Sequence, residues 1–162
     1  TNSNIYPSSE YERRLNELKI FLPKFNLNFD SNIQVIEDTY DNASFMKQIC
    51  HLKDEPEGGK RCELCYGIRI RNALVYAAQH QFEYVTTTLT LSRQKNSKTI
   101  NEIAQQIAND YPMITYFFSD FKKNCGIDLS IQMTTEYDMY RQDYCGCVYS
   151  YQQQNERNQN KS

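Results

Sequence analysis

The sequence predicts an α/β fold with a mostly parallel sheet flanked by helices. Short runs rich in β-branched and aromatic residues, Ile33–Glu37, Glu83–Thr88 and Met113–Phe118, alternate with longer segments whose apolar residues recur at helical spacing. Such alternation is the signature of strands joined by helical crossovers. With 162 residues, of which 40% are hydrophobic and 23% charged, the chain can bury a real core without disulfide staples. No apolar run approaches the roughly 20 residues of a membrane span.

Each element has its own local reason. A helix is predicted from Ser9, because Ser9-Glu10-Tyr11-Glu12 fits a capping box. Leu15, Leu18, Phe21 and Leu22 give that helix an apolar face, and Pro23 marks its end. A second helix spans Asn42 to Leu52, and the Pro/Gly-bearing stretch Asp54–Lys60 is a loop. Cys62 to Gln79 is a strong helix with a stripe of Leu64, Ile68, Leu74, Ala77 and Ala78. Ser97 to Asn109 presents Ile100, Ile103, Ala104 and Ile107 on one face, and Ile127 to Met139 is helical. The predicted organisation is one α/β domain over residues 1–150 and a Gln/Asn-rich polar tail over 151–162 with nothing to bury and no order. The architecture expected is Rossmann-like.

The charge balance, 18 basic against 20 acidic residues for a net −2, excludes a globally basic nucleic-acid binder but leaves room for a local basic groove. Two histidines leave little scope for His-rich metal sites or Ser/His catalysis. The first residue is Thr1, not Met, and no leader pattern is visible. A processed start or a piece of a longer protein is expected, with a cytoplasmic location and no membrane partner.

The chemistry points to the cysteines. Four of the six fall in two tight pairs, Cys62-Glu63-Leu64-Cys65 and Cys145-Gly146-Cys147, while Cys50 and Cys125 read as isolated, incidental positions. In Gly58-Gly59-Lys60-Arg61-Cys62 the glycines let the chain turn into a helix, whose N-terminal amides and dipole favour a thiolate at Cys62. Lys60 and Arg61 are expected to add to that effect. Three-residue spacing puts Cys62 and Cys65 on one face, able to ligate one ion or cluster. The spacing itself does not separate zinc, iron–sulfur and dithiol chemistry. Cys145-Gly146-Cys147 can offer both thiolates to one ligand or close a strained, labile disulfide. Two further stretches follow strands, where open α/β sheets bind ligands. One is the Thr-rich run holding Thr87, Thr88, Ser92 and Lys95, suited to a phosphate or a sugar hydroxyl. The other is Asp120-Phe121-Lys122-Lys123, which with Arg93, Lys95, Lys98 and Arg141 could line a basic groove for a nucleic-acid backbone.

Together these motifs resemble the QueH family of epoxyqueuosine reductases. The resemblance rests on Gly-Gly-x-Arg-Cys-x-x-Cys, Thr-Thr-Thr-Leu-Thr-x-Ser-x-x-Lys, Asp-Phe-Lys-Lys and Tyr-Arg-Gln-x-Tyr-Cys-Gly-Cys in that order. It extends to Asn2-Ser3-Asn4-Ile5-Tyr6-Pro7 and the Glu-Tyr-x-x-Arg helix behind it, so it covers residues 1 to about 150. Ser3, Gln81 and Cys125 depart from the family pattern. The resemblance implies reduction of an epoxide on a modified guanosine of tRNA to the alkene, without cobalamin, at the last step of queuosine synthesis. It implies a 4Fe-4S cluster with Cys62 and Cys65 as two of four ligands. The other two would lie on an upstream Cys-Cys strand that this sequence does not contain, so the sheet should lack its first strand and the chain as given should be weakly active or inactive. Cys145 and Cys147 would be the redox-active pair, fed by an electron donor of unknown identity. Asp143 or Tyr144 could donate a proton, and an additional iron with an open coordination position could act as a Lewis acid. Thr87, Thr88, Ser92, Lys95, Lys122, Lys123 and Arg141 are the expected substrate and tRNA contacts.

Two other classes compete. A closed zinc site of Cys62, Cys65, Cys145 and Cys147 would make the chain a structural or nucleic-acid-binding module, although about 80 residues separate the two pairs, far more than in compact zinc ribbons. A metal-free thiol oxidoreductase would leave the Thr-rich and Lys-rich motifs without a role.

Overall fold

A computed structural model of the chain describes residues 2–160. In chain order the elements are α1 (Ser8–Asn28), α2 (Asn42–Ile49), a 3-10 turn (Cys50–Leu52), α3 (Lys60–Gln79), β1 (Tyr84–Val85), a second 3-10 turn (Thr88–Leu91), α4 (Ser97–Ala108), β2 (Thr115–Tyr116), α5 (Gly126–Glu136) and α6 (Val148–Gln159). The chain divides into two compact units. The first spans Gln48–Ser130; the second joins Asn2–Lys47 to the segment from Ile131 onward.

The first unit is a small α/β layer. β1 and β2 run parallel, with Tyr84 opposite Thr115 and Val85 opposite Tyr116, and α4 makes the crossover between them. Tyr66, Ile70, Leu74 and Ala77 of α3 meet Ile100, Ala104, Ile107 and Ala108 of α4 over Leu89, Ile114 and Tyr116. The α3 residues are four, four and three apart, and those of α4 fall at i, i+4, i+7 and i+8, so each set forms one face. The buried face of α3 is rotated from the expected stripe. The ring of Tyr66 and the side chain of Ile70 go inward, Leu64 and Ile68 are only half-buried, and Ala78 is exposed. Asn96 starts α4 by accepting hydrogen bonds on Oδ1 from the Lys98 and Thr99 amides.

The fold class holds in its coarse form: a helix-rich α/β chain with a two-stranded parallel sheet. The strands are shorter than the sequence predicts. Thr115 N bonds Glu83 O and Phe117 N bonds Val85 O, both at 2.8 Å, and the ladder stops where Thr87 turns the chain into the 3-10 turn.

The second unit departs more from expectation. α1 begins at Ser8 behind Pro7, with no side-chain cap, so Ser9 and Glu12 form no capping box. It also continues through Pro23, which is exposed and sits inside the helix. The cost of a proline there is a missing amide for the Lys19 carbonyl. Ile33–Glu37 is not a strand. The Asn26 side chain instead satisfies Ile33, accepting from its amide at 3.0 Å and donating to its carbonyl at 2.9 Å. α5 ends at Glu136, three residues early, ahead of Asp138 in the left-handed region at φ 50°. The polar segment expected to lack order continues α6 as far as Gln159; only Ser150 of that helix is buried. Among the described residues, no helix is long and apolar enough to cross a membrane.

Candidate functional site

The two cysteine pairs fall in different units, and both sit at helix N-termini. In the first unit, Gly58 adopts φ 87°, open to glycine at little cost, and Gly59 is the N-cap of α3. That turn folds the Gly58 amide back onto the Cys62 sulfur, N to Sγ 3.2 Å, while the Glu55 carboxylate accepts from Lys60 N at 3.1 Å. Cys65 follows one turn later, half-buried like Cys62. An amide aimed at sulfur is the environment in which a thiolate ligates metal. Arg61 turns back toward the preceding loop. It is only 4% exposed and its Nη1 donates to the carbonyls of Lys53 (2.8 Å), Leu52 (3.4 Å) and Glu55. It clasps the loop that precedes the cysteine helix.

Among the described residues, no three His, Cys, Asp or Glu side chains gather as a metal site. The donor chemistry of Cys62 and Cys65 fits an iron–sulfur cluster or zinc in part, as one half of a four-thiolate set.

The Thr-rich and Lys-rich stretches are brought together in the first unit, largely by bonds to each other. Thr87 Oγ1 accepts from Leu89 N at 3.2 Å, and its carbonyl accepts from Thr90 and Ser119 hydroxyls at 3.4 and 3.3 Å. Lys122 Nζ donates to Lys95 O at 2.8 Å and to Ser97 Oγ, and lies 3.7 Å from Asp120 Oδ1. The Ser97 hydroxyl bonds Asp120 at 2.9 Å, and this bond, aided by Lys122, holds the carboxyl below its usual range. Thr88 and Lys123 are exposed, Ser92 is half-buried, and Arg141 belongs to the second unit, donating to Thr134 Oγ1 at 2.7 Å. Asn101 escaped the sequence reading. It is 8% exposed, donates to Ser119 O at 2.9 Å and accepts from Tyr116 OH at 2.9 Å, tying α4 to the end of β2. A polar residue within the apolar face of a helix was the available signal.

The second unit builds a polar and aromatic clasp around Cys145-Gly146-Cys147. Cys145 and Cys147 are half-buried thiols, and Cys147 is the N-cap of α6, its carbonyl accepting from Ser150 Oγ at 2.9 Å. Gly146 is buried with φ 123°, where an L side chain is strained. A Cβ there would stand 3.1 Å from Arg14 Nη1 and 3.5 Å from both Asn4 Nδ2 and Ile5 Cγ1. The Gly146 carbonyl accepts from Tyr6 N at 2.7 Å, and the Tyr144 hydroxyl donates to the Tyr6 carbonyl. The Tyr6–Pro7 bond is cis. Glu10, 9% exposed on α1, pairs with Arg14 Nε at 2.7 Å and accepts from Tyr140 OH at 3.1 Å. Arg13 lies 3.5 Å over the Tyr140 ring. Burial, then the Glu10 carboxylate, push the Tyr144 and Tyr140 phenols above their usual range. Asp143 is exposed, and its carboxylate accepts from Gln154 Nε2 at 3.4 Å. Glu10, Arg14 and Tyr140 lay outside the predicted site set, because nothing local relates residues 130 apart in sequence.

Comparison with known proteins places this arrangement. The family model described as epoxyqueuosine reductase QueH matches residues 1–153. The epoxyqueuosine reductase QueH of Streptococcus pyogenes is 41% identical over 149 residues, covering 92% of this chain and 58% of the relative. That of Staphylococcus epidermidis is 40% identical over 151 residues, 92% of this chain and 63% of the relative. The Thermotoga maritima protein of the same name is 32% identical over 156 residues, 96% of this chain and 79% of the relative. The chain thus spans about three-fifths of the length of its more similar curated relatives. A match that runs through both cysteine pairs and the segments that hold them means that this chain belongs to the QueH epoxyqueuosine reductase family.

Proposed function

We propose that this chain is the part of an epoxyqueuosine reductase that carries the electron-delivering cysteines and half of an iron–sulfur site, acting on tRNA that bears epoxyqueuosine. The observation that carries the reading is the family match through residue 153, which contains both cysteine pairs in their helix-N-terminal settings. Cys62 and Cys65 are two ligands of a 4Fe-4S cluster, and the remaining ligands come from chain outside this sequence. The two-stranded sheet belongs to a larger Rossmann-like sheet; isolated parallel pairs are rare, and the outward edges of β1 and β2 offer backbone groups for further strands. The working location is the cytoplasm.

Converting the epoxide to an alkene consumes two electrons and two protons and releases the oxygen as water. Cys145 and Cys147 supply both electrons and two protons by closing to a disulfide, which an external donor must reopen. Gly146 keeps the backbone between them free of a side chain, and the Tyr6 amide fixes its carbonyl. Asp143, exposed two residues before Cys145, relays a proton to the departing oxygen. The cluster, with an additional iron, supplies one-electron transfer and Lewis acidity toward the epoxide oxygen when bound. The exposed Thr88 and Lys123, with Arg141, are the side chains proposed to meet tRNA, whereas Thr87, Lys95 and Lys122 shape the loops behind them. Ser92 orders its loop by accepting from Lys95 N at 3.3 Å.

The test is a nucleoside assay. The gene, extended to the length of its relatives, is expressed in a bacterium lacking every epoxyqueuosine reductase, and tRNA nucleosides are quantified by mass spectrometry. Queuosine should replace epoxyqueuosine, and C145S, C147S, C62S and C65S should each restore the epoxide. Unchanged epoxyqueuosine with a soluble, reconstituted protein would refute the proposal.

A further inference from the structure

The reading of Cys145 and Cys147 as a redox pair leaves open what sets their readiness to react, and the second unit contains a side chain shaped for that task. Arg14 stands one helical turn after Glu10 on α1 and is largely buried, its side chain 17% exposed. Its Nε takes the Glu10 carboxylate at 2.7 Å. Its Nη2 donates to the carbonyl of Tyr144, the residue before Cys145, at 3.5 Å. Its guanidinium carbon lies 5.3 Å over the Tyr144 ring, and its Nη1 abuts Gly146, 3.1 Å from where a Cβ would stand. One planar fork therefore touches both residues that flank Cys145, while Glu10, itself held by Tyr140 OH, fixes the fork's orientation. The Asn4 side chain, 3% exposed, closes the other side of Gly146 with Nδ2 3.5 Å from the same point, and its Oδ1 is buried without a partner.

We infer that Arg14, oriented by Glu10, is a positioning residue that braces the Cys145-Gly146-Cys147 turn in its open dithiol form and so raises the reduction potential of that pair. The inference rests on the redox-pair reading above. Bringing the two sulfurs to bonding distance requires Cβ atoms within about 4 Å of each other, which turns the backbone on either side of Gly146. The contacts from Arg14 to the Tyr144 carbonyl and to Gly146 belong to the open turn and are strained or lost on closure. A couple whose reduced form is selectively stabilised is the more oxidising one. The converse follows: without the fork, the disulfide forms more readily and is harder to reopen.

The experiment equilibrates the whole chain against reduced and oxidised glutathione, traps thiols by alkylation, and digests with trypsin. Cleavage after Arg141 and Arg157 yields the peptide Gln142–Arg157, which carries Cys145 and Cys147 and no other cysteine. The intact disulfide and the doubly alkylated form are then counted by mass. R14A should shift the equilibrium toward disulfide by about tenfold, roughly 30 mV lower in potential for this two-electron couple. R14K, which keeps the charge but loses the fork, should fall between R14A and the parent. R71A, an exposed ion-pair residue of the other unit, is the control and should not move it. If R14A fails to fold by circular dichroism, R14K decides. A disulfide–dithiol equilibrium constant within twofold of the parent in the folded variants, or a shift toward dithiol, overturns the role of Arg14 while leaving the redox pair in place. No intramolecular disulfide in the parent at any glutathione ratio overturns both.

Discussion

The two units of this chain reach stability by different means. The unit over residues 48–130 has a continuous apolar core, with Leu74, Ile100 and Ala104 wholly buried between two helices and a strand pair. The unit holding Cys145 and Cys147 buries few apolar side chains, chiefly Ile5, Leu22 and Phe45, and leans on Glu10, Arg14, Asn4 and stacked tyrosines. Apolar packing gives a rigid base, and Cys62 stands near the head of a helix that this core holds. A polar clasp costs more to assemble, because every buried group needs its partner, but it can hold a reactive turn at chosen atoms.

The sharpest way to break the comparison is truncation in each unit. Leu74→Ala should cost about 3–5 kcal/mol, since a side chain with no exposure leaves a cavity in a packed layer. Leu22→Ala, among half-exposed neighbours that can close over the gap, should cost about 1–2 kcal/mol. Denaturant melts would read both, and equal losses would erase the contrast. Next in size is Arg61→Met. Removing the guanidinium strands the Lys53 and Glu55 carbonyls, while Leu52 O keeps the Glu55 amide, and a loss of about 2–3 kcal/mol is expected. Gly146→Ala should cost about 1–3 kcal/mol through its positive φ and the Arg14 contact. Hydrogen exchange in α3 and α4 should stay unchanged; faster exchange there would show that the units do not behave separately.

The polar clasp also predicts an alkaline limit. A phenol whose folded pKa is raised above its ordinary 10 binds its proton more tightly folded than unfolded. Its contribution is complete below pH 10 and declines as pH rises beyond that toward the folded value. Melting temperature should therefore fall above pH 10, and Tyr144→Phe should flatten that fall; an identical slope in the variant would count against the buried phenol. The smallest effect belongs to the exposed Arg71–Asp110 pair at 3.3 Å, where Arg71→Ala should change stability by less than about 0.5 kcal/mol.

Legibility in the sequence follows the same division. α3 and α4 could be read because apolar side chains at three- and four-residue spacing leave a local trace, and Gly59 and Asn96 mark where those helices begin. Both cysteine pairs were visible by spacing. The run of α1 through Pro23 was not, because a local breaker was outvoted by tertiary contacts on both sides of it. Ile33–Glu37 has strand-like composition but found the Asn26 amide in place of a neighbouring strand. The reach of Arg61 back to the loop carbonyls was not legible either, because it depends on the loop's path. Glu10, Arg14 and Tyr140 meet only after the fold brings the chain ends together, so no window of sequence contains them.

The division of labour between the cysteine pairs is tested most directly by iron, acid-labile sulfide and zinc content after anaerobic reconstitution. The measurement is made on the chain extended to the length of its relatives, with C62S and C145S alongside. The account predicts iron and sulfide near four per chain in the parent, loss of both in C62S, and full retention in C145S. One zinc per chain without sulfide, lost equally from both variants, would contradict it and make the four cysteines a closed structural site.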